Sequence, residues 1–310
     1  MKNTHLYPKF LTYIFLLAFF IFLPNSTLAQ STDLARLEYA NIPQANSKNL
    51  YSRFRFLANI PFKLNDKGSY LVVGTQYRLN TLDIQDGTEG LGGFNKSGLD
   101  DFHTIGLEVG YTFKMSKAWR FGAKFGTRLS SNIENNQIEA DDFRYTISSY
   151  FIRSRKGEGV SQPSRLILGF QFTYPSSINF PLPIINYYKK FHPNWSYSLG
   201  TPKTNIKHII NEKNTVQLFA SLDRFYGNIQ RNRSFIDKDG VAQVAENVSM
   251  LAILGAVGYE HFFTKHILFY AYGGYTLSNE IRFRNGDQEN VLTINDENTF
   301  YLRSGIKLKI

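Results

Sequence analysis

The chain has 310 residues, with 35 Lys and Arg against 25 Asp and Glu, a net charge of +10 and no cysteine. Without Cys there is no disulfide framework, no thiolate metal site and no cysteine catalysis. A slightly negative mean hydropathy also excludes a bundle of helical membrane spans, each of which needs about 20 mostly apolar residues. What stands out is the aromatic load of 27 Phe, 19 Tyr and 2 Trp.

In chain order, the first element is a targeting segment. Lys2 and Lys9 bracket a short charged stretch, Phe10 to Leu23 are almost unbroken apolar residues, and Pro24 ends any helix. Thr27 and Ala29 then stand at −3 and −1 before Gln30. This is the layout of a secretory signal peptide with a core too short for an anchor, so 1–29 is expected to be cleaved and 30–310 to be one domain. Cleavage removes two lysines and no acid, taking the charge from +10 to +8.

Past residue 30 the chain alternates with a period of two. Phe54, Phe56, Ala58, Ile60 and Phe62 share one face of a strand while Arg53, Arg55 and Asn59 share the other. Ile105, Leu107, Val109, Tyr111 and Phe113 oppose Gly106, Glu108, Gly110, Thr112 and Lys114. Trp119, Phe121, Ala123, Phe125 and Leu129 oppose Arg120, Gly122, Lys124, Gly126 and Arg128, and Leu166, Leu168, Phe170 and Phe172 oppose Arg165, Gly169 and Gln171. At the end, Leu302, Ile306, Leu308 and Ile310 oppose Arg303, Gly305, Lys307 and Lys309. A soluble sandwich also alternates, but many of these runs reach the 9–11 residues or more that a tilted strand needs to cross a bilayer. The glycines between inward charges suggest a crowded interior.

Connections alternate as well. Tight turns at 65–68, 116–117, 211–214 and 263–266 lie between long polar segments at 83–101, 130–141, 230–246 and 279–298. Short turns at one end and long loops at the other are the arrangement of outer-membrane barrels. Placing the tight turns in the periplasm gives strands near 34–42, 51–64, 69–82, 102–115, 118–129, 142–153, 164–175, 183–190, 195–200, 204–210, 215–229, 247–262, 266–281 and 299–310. The expected fold is therefore all-β, an antiparallel transmembrane β-barrel of about 12–14 strands with short periplasmic turns and longer extracellular loops. Prolines 181, 183, 193 and 202 make 181–210 the segment where two strands are expected to be irregular. The ending Arg303-x-Gly305-x-x-Leu308-x-Ile310 partly matches a barrel-assembly signal, although its last residue is not aromatic.

The block PLPIINYYKKFHPNWSYSLGTPKTN at 181–205, with ARLEYANIPQ at 35–44, SYLVVGTQYR at 69–78 and LEVGYTFKM and WRFGAKFG between 107 and 126, resembles a family of Gram-negative outer-membrane β-barrels catalogued as a domain of unknown function. The resemblance spans the mature chain. It implies a fold and a cell outer-membrane location, and brings no activity, ligand or catalytic residue with it.

Chemistry is sparse. Asp100, Asp101 and His103 sit where a long loop enters a strand, a place where an Asp–His pair activates water or a serine; residues simply meeting solvent at the rim are the commoner case. His261 and His266 flank a turn and are commoner as interfacial residues than as metal ligands. Asp237, Asp239, Gly240 and Glu246 imitate a calcium loop, but Phe235 would occupy its first ligand position, which leaves turn chemistry as the account. No cofactor motif and no metal site is read.

The candidate site is instead the polar parity of the barrel: Arg53, Arg55, Arg120, Lys124, Arg128, Arg144, Arg165, Arg303 and Lys307, with Glu108 and Asp223 among the few acids. In an open lumen such a cluster favours anions; in a closed one it interlocks as a polar core. The leading expectation is a non-enzymatic passive channel or small-solute transporter with a basic lumen. The alternatives are a structural or surface-interaction barrel with a plugged lumen and, less favoured, a barrel lipid hydrolase or protease. The partners expected are outer-membrane lipid, the barrel-assembly machinery through the C-terminal strand, and a surface ligand at the long loops. Nucleic acid is not expected.

Overall fold

The computed structural model describes residues 33–157, 159–178 and 180–309. The expected targeting segment 1–29 and the terminal Ile310 lie outside the described residues.

Among the described residues, fifteen strands account for nearly all of the regular structure. They are β1 (Asp33–Pro43), β2 (Leu50–Lys63), β3 (Tyr70–Asp83), β4 (Asp101–Lys114), β5 (Trp119–Ser131), β6 (Phe143–Arg155), β7 (Ser164–Tyr174) and β8 (Leu182–His192). There follow β9 (Trp195–Gly200), β10 (Lys203–Ile209), β11 (Asn214–Ile236), β12 (Ala242–Phe262), β13 (Ile267–Arg284), β14 (Asn290–Asn295) and β15 (Phe300–Lys309). Each strand from β1 to β13 pairs with the next, β13 pairs with β15, and β15 returns to β1. The result is a closed antiparallel barrel of 14 strands, with β14 a short addition to the extracellular end of β13. Closure gives every wall strand a neighbour on each side, which satisfies the paired backbone groups without water.

The wall is built by the alternation. Phe54, Phe56, Ile60, Ile105, Leu107, Phe125, Ile147, Leu168 and Leu302 are exposed on the outside, where an apolar band meets lipid. Trp195 packs against His208 in a tilted pair with ring centroids 4.4 Å apart at the periplasmic end of that band. Glycines make room on the inside. A Cβ on Gly122 would stand 2.4 Å from the Tyr150 ring, and one on Gly126 would stand 2.8 Å from Glu108 Cγ.

Segment 181–210 holds its three expected strands as β8, β9 and β10, with β9 and β10 only 6 and 7 residues long and a register shift between Lys190 and His192. Two regions depart from the sequence expectation. Segment 230–246, expected as a long loop, is mostly strand. β11 and β12 run to 23 and 21 residues and turn at 237–241, because Phe235, Ala245 and Val248 are buried and give both arms an apolar side. The last loop likewise contains β14, whose Ile294 is buried.

Candidate functional site: the barrel interior

β11 determines the shape of the interior. Up to Ser221 it is an ordinary wall strand beside β10. Beyond that point it leaves the wall and crosses the mouth of the barrel, meeting β5 in a parallel bridge between Asn228 and Ser131 with β6 to β10 bypassed. The crossing is fastened from both sides. Ser130 donates to the Tyr226 carbonyl at 2.6 Å, the Gln230 amide donates to Asn132 at 2.9 Å, and Asn228 and Gln230 both donate to the buried Asp142. Over these residues β11 is buried on both faces. Gly227 permits the approach, since a Cβ there would lie 2.5 Å from the Phe102 ring.

On one side of the crossing an apolar cluster fills the extracellular half of the interior. Tyr51, Leu82, Phe102, Phe225, Met250, Leu254 and Phe283 belong to it, and the β3–β4 loop adds Leu91, Phe94 and Leu99. Phe94 meets Phe235 and Phe283 edge-on at 5.3 and 5.6 Å.

Below that cluster the polar parity begins. Arg53 is 3% exposed and reaches across the interior to Asp223 of β11, at 2.5 Å (Nη1–Oδ1) and 2.9 Å (Nη2–Oδ2). Tyr301 donates to the same carboxylate at 2.8 Å. Glu38 accepts from Arg53 at 3.3 Å and from Tyr270 at 2.6 Å, and Arg303 stands 4.0 Å from it, over the rings of Tyr272 and Tyr301. Glu108 of β4 binds Lys124 at 2.7 Å and Arg128 at 2.5 Å. Lower still, Glu260 accepts from Lys207, Gln217 and Tyr272.

The remaining expected residues are spread around the inner wall. Arg120 bonds the Gly68 carbonyl and Thr112 near a periplasmic turn, Lys307 stands 4.0 Å from Asp33 and over Tyr270, and Arg165 lies over Tyr188. Arg55 makes no hydrogen bond or ion pair with a described residue. The opposed Glu38 is engaged by Arg53 and Tyr270, and the residue facing Arg55 on β3 is another arginine, Arg78. Arg78 and Arg224 were not singled out in the sequence. The Gly74-x-Gln76-x-Arg78-x-Asn80 alternation marks Arg78 as inward, whereas parity alone places Arg224 on the lipid side and only the departure of β11 from the wall turns it in.

The wall is lowest at the β9–β10 hairpin. Thr201 and Pro202 bridge to Ile185 and Leu222, and no strand stands between β8 and β11 above them among the described residues. An interior cavity of about 260 Å³ opens there, bordered by Arg165, Ile184, Asn186, Thr201 and Lys203. A second hollow of about 550 Å³ lies on the extracellular surface, where Ser97, Glu134, Arg231 and Arg233 meet. Arg233 is pinned there to Glu134 and donates to the Ser97 carbonyl.

The histidines are engaged elsewhere. His103 faces Tyr77, with Nδ1 3.0 Å from the hydroxyl, while Asp101 accepts from Thr81. His261 meets Asn214 and His266 meets the Lys309 carbonyl. No group of metal-ligating side chains occurs among the described residues. Asp237 accepts from the Asp239 and Val241 amides and from Gln243, which is turn chemistry.

No protein-family model matches the chain, and no curated protein matches it. Among solved structures, LpxR from Salmonella typhimurium aligns with 89% of this chain and 99% of its own length at 10% identity and a TM-score of 0.37. An outer membrane channel from Pseudomonas putida F1 aligns with 93% and 99% at 11% identity and a TM-score of 0.44. KdgM porin aligns with 89% and 99% at 8% identity and a TM-score of 0.35. At these identities the likeness is one of general barrel plan.

Proposed function

We propose that the chain is a passive outer-membrane channel for small solutes whose basic interior favours anions. The observation that carries this reading is the excess of inward cations left after the acids are used. Glu38, Glu108, Asp223 and Glu260 are each engaged by Arg or Lys, yet Arg55, Arg78, Arg144, Arg165 and Arg224 remain on the inner side without an ion-pair partner among the described residues. A ring of uncompensated charge selects for the opposite sign. In this reading Arg53, Arg55, Glu108, Arg120, Lys124, Arg128, Arg165, Arg303 and Lys307 line the interior. The apolar cluster closes the side between β1 and β4, so solute passes on the side of β5 to β10, where the wall is lowest. Export by a cleaved 1–29 segment and insertion by the assembly machinery through the β15 end complete the proposal.

The test is swelling of liposomes that contain the refolded barrel. Entry of a small sugar acid faster than that of an amino sugar of equal size is expected. Equal rates, or no swelling in either, would remove the reading.

A second reading is a surface-interaction barrel. It is favoured by the 550 Å³ extracellular hollow and by the crossing of β11, which would serve as a plug. It expects no swelling with any solute, and a partner crosslinked through 95–98 or 231–234.

A further inference from the structure

The inner-wall arginines are arranged in rows. Arg55 of β2 lies directly opposite Arg78 of β3, and Arg128 of β5 lies directly opposite Arg144 of β6. Residues so opposed have Cβ atoms about 4.5–5.5 Å apart, and like charges there destabilise a sheet. One such pair is unusual and two on adjoining inner rows are more so. The rows abut because Arg78 donates to Gln76 at 3.1 Å, and Gln76 is paired with Gly106, which is paired with Arg128. Gly106 keeps the floor between them free, since a Cβ there would sit 2.9 Å from Gln76 and 3.1 Å from Arg128. From β11 overhead, Arg224 comes within the field of Arg128, and Arg128 and Arg55 within that of Arg78, while Asp223 acts on Arg78 and Arg224 in the opposite sense. The buried Nε atoms of Arg55, Arg78 and Arg128 have no acceptor. The carboxylates that reach these rows are already engaged: Glu108 by Lys124 and Arg128, and Glu38 and Asp223 by Arg53. Arg144 is held by the Pro175 and Tyr226 carbonyls and stacked 4.5 Å over the Tyr226 ring, which fixes its direction without neutralising it.

We infer that Arg55, Arg78, Arg128, Arg144 and Arg224 form a binding site for a tetrahedral oxyanion, of which a phosphoryl group is the natural member. Guanidinium forks match oxyanion edges in pairs of parallel hydrogen bonds, which lysines do not. A phosphoryl group has enough oxygens to join two facing arginines, and it converts their repulsion into a bridge. The site lies beneath the β11 crossing, within the interior that the low wall at Thr201–Pro202 serves. Both free phosphate and the phosphate of a lipid headgroup present the required group. The inference deepens the channel reading by naming the anion the interior is built to hold.

The experiment uses the full mature barrel refolded in neutral micelles. Its thermal midpoint is followed against inorganic phosphate, with chloride at matched ionic strength as the reference. A saturating rise with phosphate alone is expected, and the R55Q/R78Q variant is expected to need about tenfold more phosphate for half the rise, as lost charge-assisted hydrogen bonds imply. Without phosphate that variant should be at least as stable as the native chain, because its repulsion is gone. Should the double variant not refold, R144Q carries the same expectation. Coincident phosphate and chloride curves, together with no stabilisation by vesicles containing phosphatidic acid over zwitterionic ones, would overturn the site. An unchanged phosphate response in the variants would do the same. Stabilisation by the vesicles alone assigns the phosphoryl group to lipid, and stabilisation by soluble phosphate assigns it to a solute. Anion entry into liposomes with no phosphate response removes this site and keeps the channel; the reverse result keeps the site and removes the channel.

Discussion

Arg53 of β2 and Asp223 of β11 meet across the interior in a two-pronged ion pair, 2.5 and 2.9 Å long, although neither their strands nor their sequence neighbours are adjacent in the wall. The pair holds β11 at the point where it leaves the wall, so it joins the geometry of the crossing to the charge of the interior. Breaking a buried pair from one side leaves an uncompensated charge and costs about 3–5 kcal/mol. Asp223→Leu and Arg53→Met should each lower the unfolding free energy of the barrel in vesicles, read from urea titration, by an amount of that order. The double variant should recover most of the loss. Equal losses in single and double variants would show that the contact is incidental.

The apolar cluster gives a prediction about passage. Phe94 and Phe102 fill the end of the barrel on the closed side, and Phe→Ala in a packed core costs about 3–5 kcal/mol. Phe102→Ala should destabilise the barrel by this amount and raise its conductance, because it removes the ring that packs against Phe225 at 5.5 Å beneath the crossing. Unchanged conductance in a folded Phe102→Ala barrel would mean that the cluster closes nothing.

Gly126 offers a test of crowding on the inner wall. Its missing side chain leaves room for Glu108, the acceptor for Lys124 and Arg128. Gly126→Val should cost about 1–3 kcal/mol by overpacking and should also shift selectivity further toward anions by displacing Glu108. A stability loss with no change in selectivity would separate Glu108 from the solute path.

The β11–β12 turn gives a pH dependence outside the membrane. Gln243 and the Val241 and Asp239 amides donate to Asp237 and hold its carboxyl below the ordinary Asp range. A depressed carboxylate pKa stabilises the folded turn above the unfolded pKa of about 3.9 and ceases to do so as pH falls through the folded value. Amide exchange at Val241 should therefore be protected at pH 7 and lose protection below pH ~4, and Asp237→Ala should lose it at both. Protection that is constant across this range would dismiss the Asp237 cap.

Much of the wall was legible in the sequence because one physical rule, apolar outside and polar inside, repeats along every strand. Phe54 and Phe56 against Arg53 and Arg55 gave both the strand and its orientation, and the fourteen expected strands lie within a few residues of the barrel strands except in β11 and β12. Their extracellular extensions were not legible. Gln230 to Glu246 is polar enough to pass for a loop, and its burial comes from packing on the β3–β4 loop, which no local pattern records. The same cause hid the crossing. Tyr226, Asn228 and Gln230 follow the outward parity, and only contact with Ser130, Asn132 and Asp142 shows that they face other strands. The inward position of Arg78 was available from its alternation. The opposition of Arg55 to Arg78 depends on register, which alternation does not give.

Reversal potential in planar bilayers tests the central claim most directly. Under a tenfold KCl gradient the native barrel should give discrete steps and a reversal potential of anion-selective sign, reduced toward zero in R55Q/R78Q. Steps of cation-selective sign, or a refolded barrel that conducts nothing, would contradict the account.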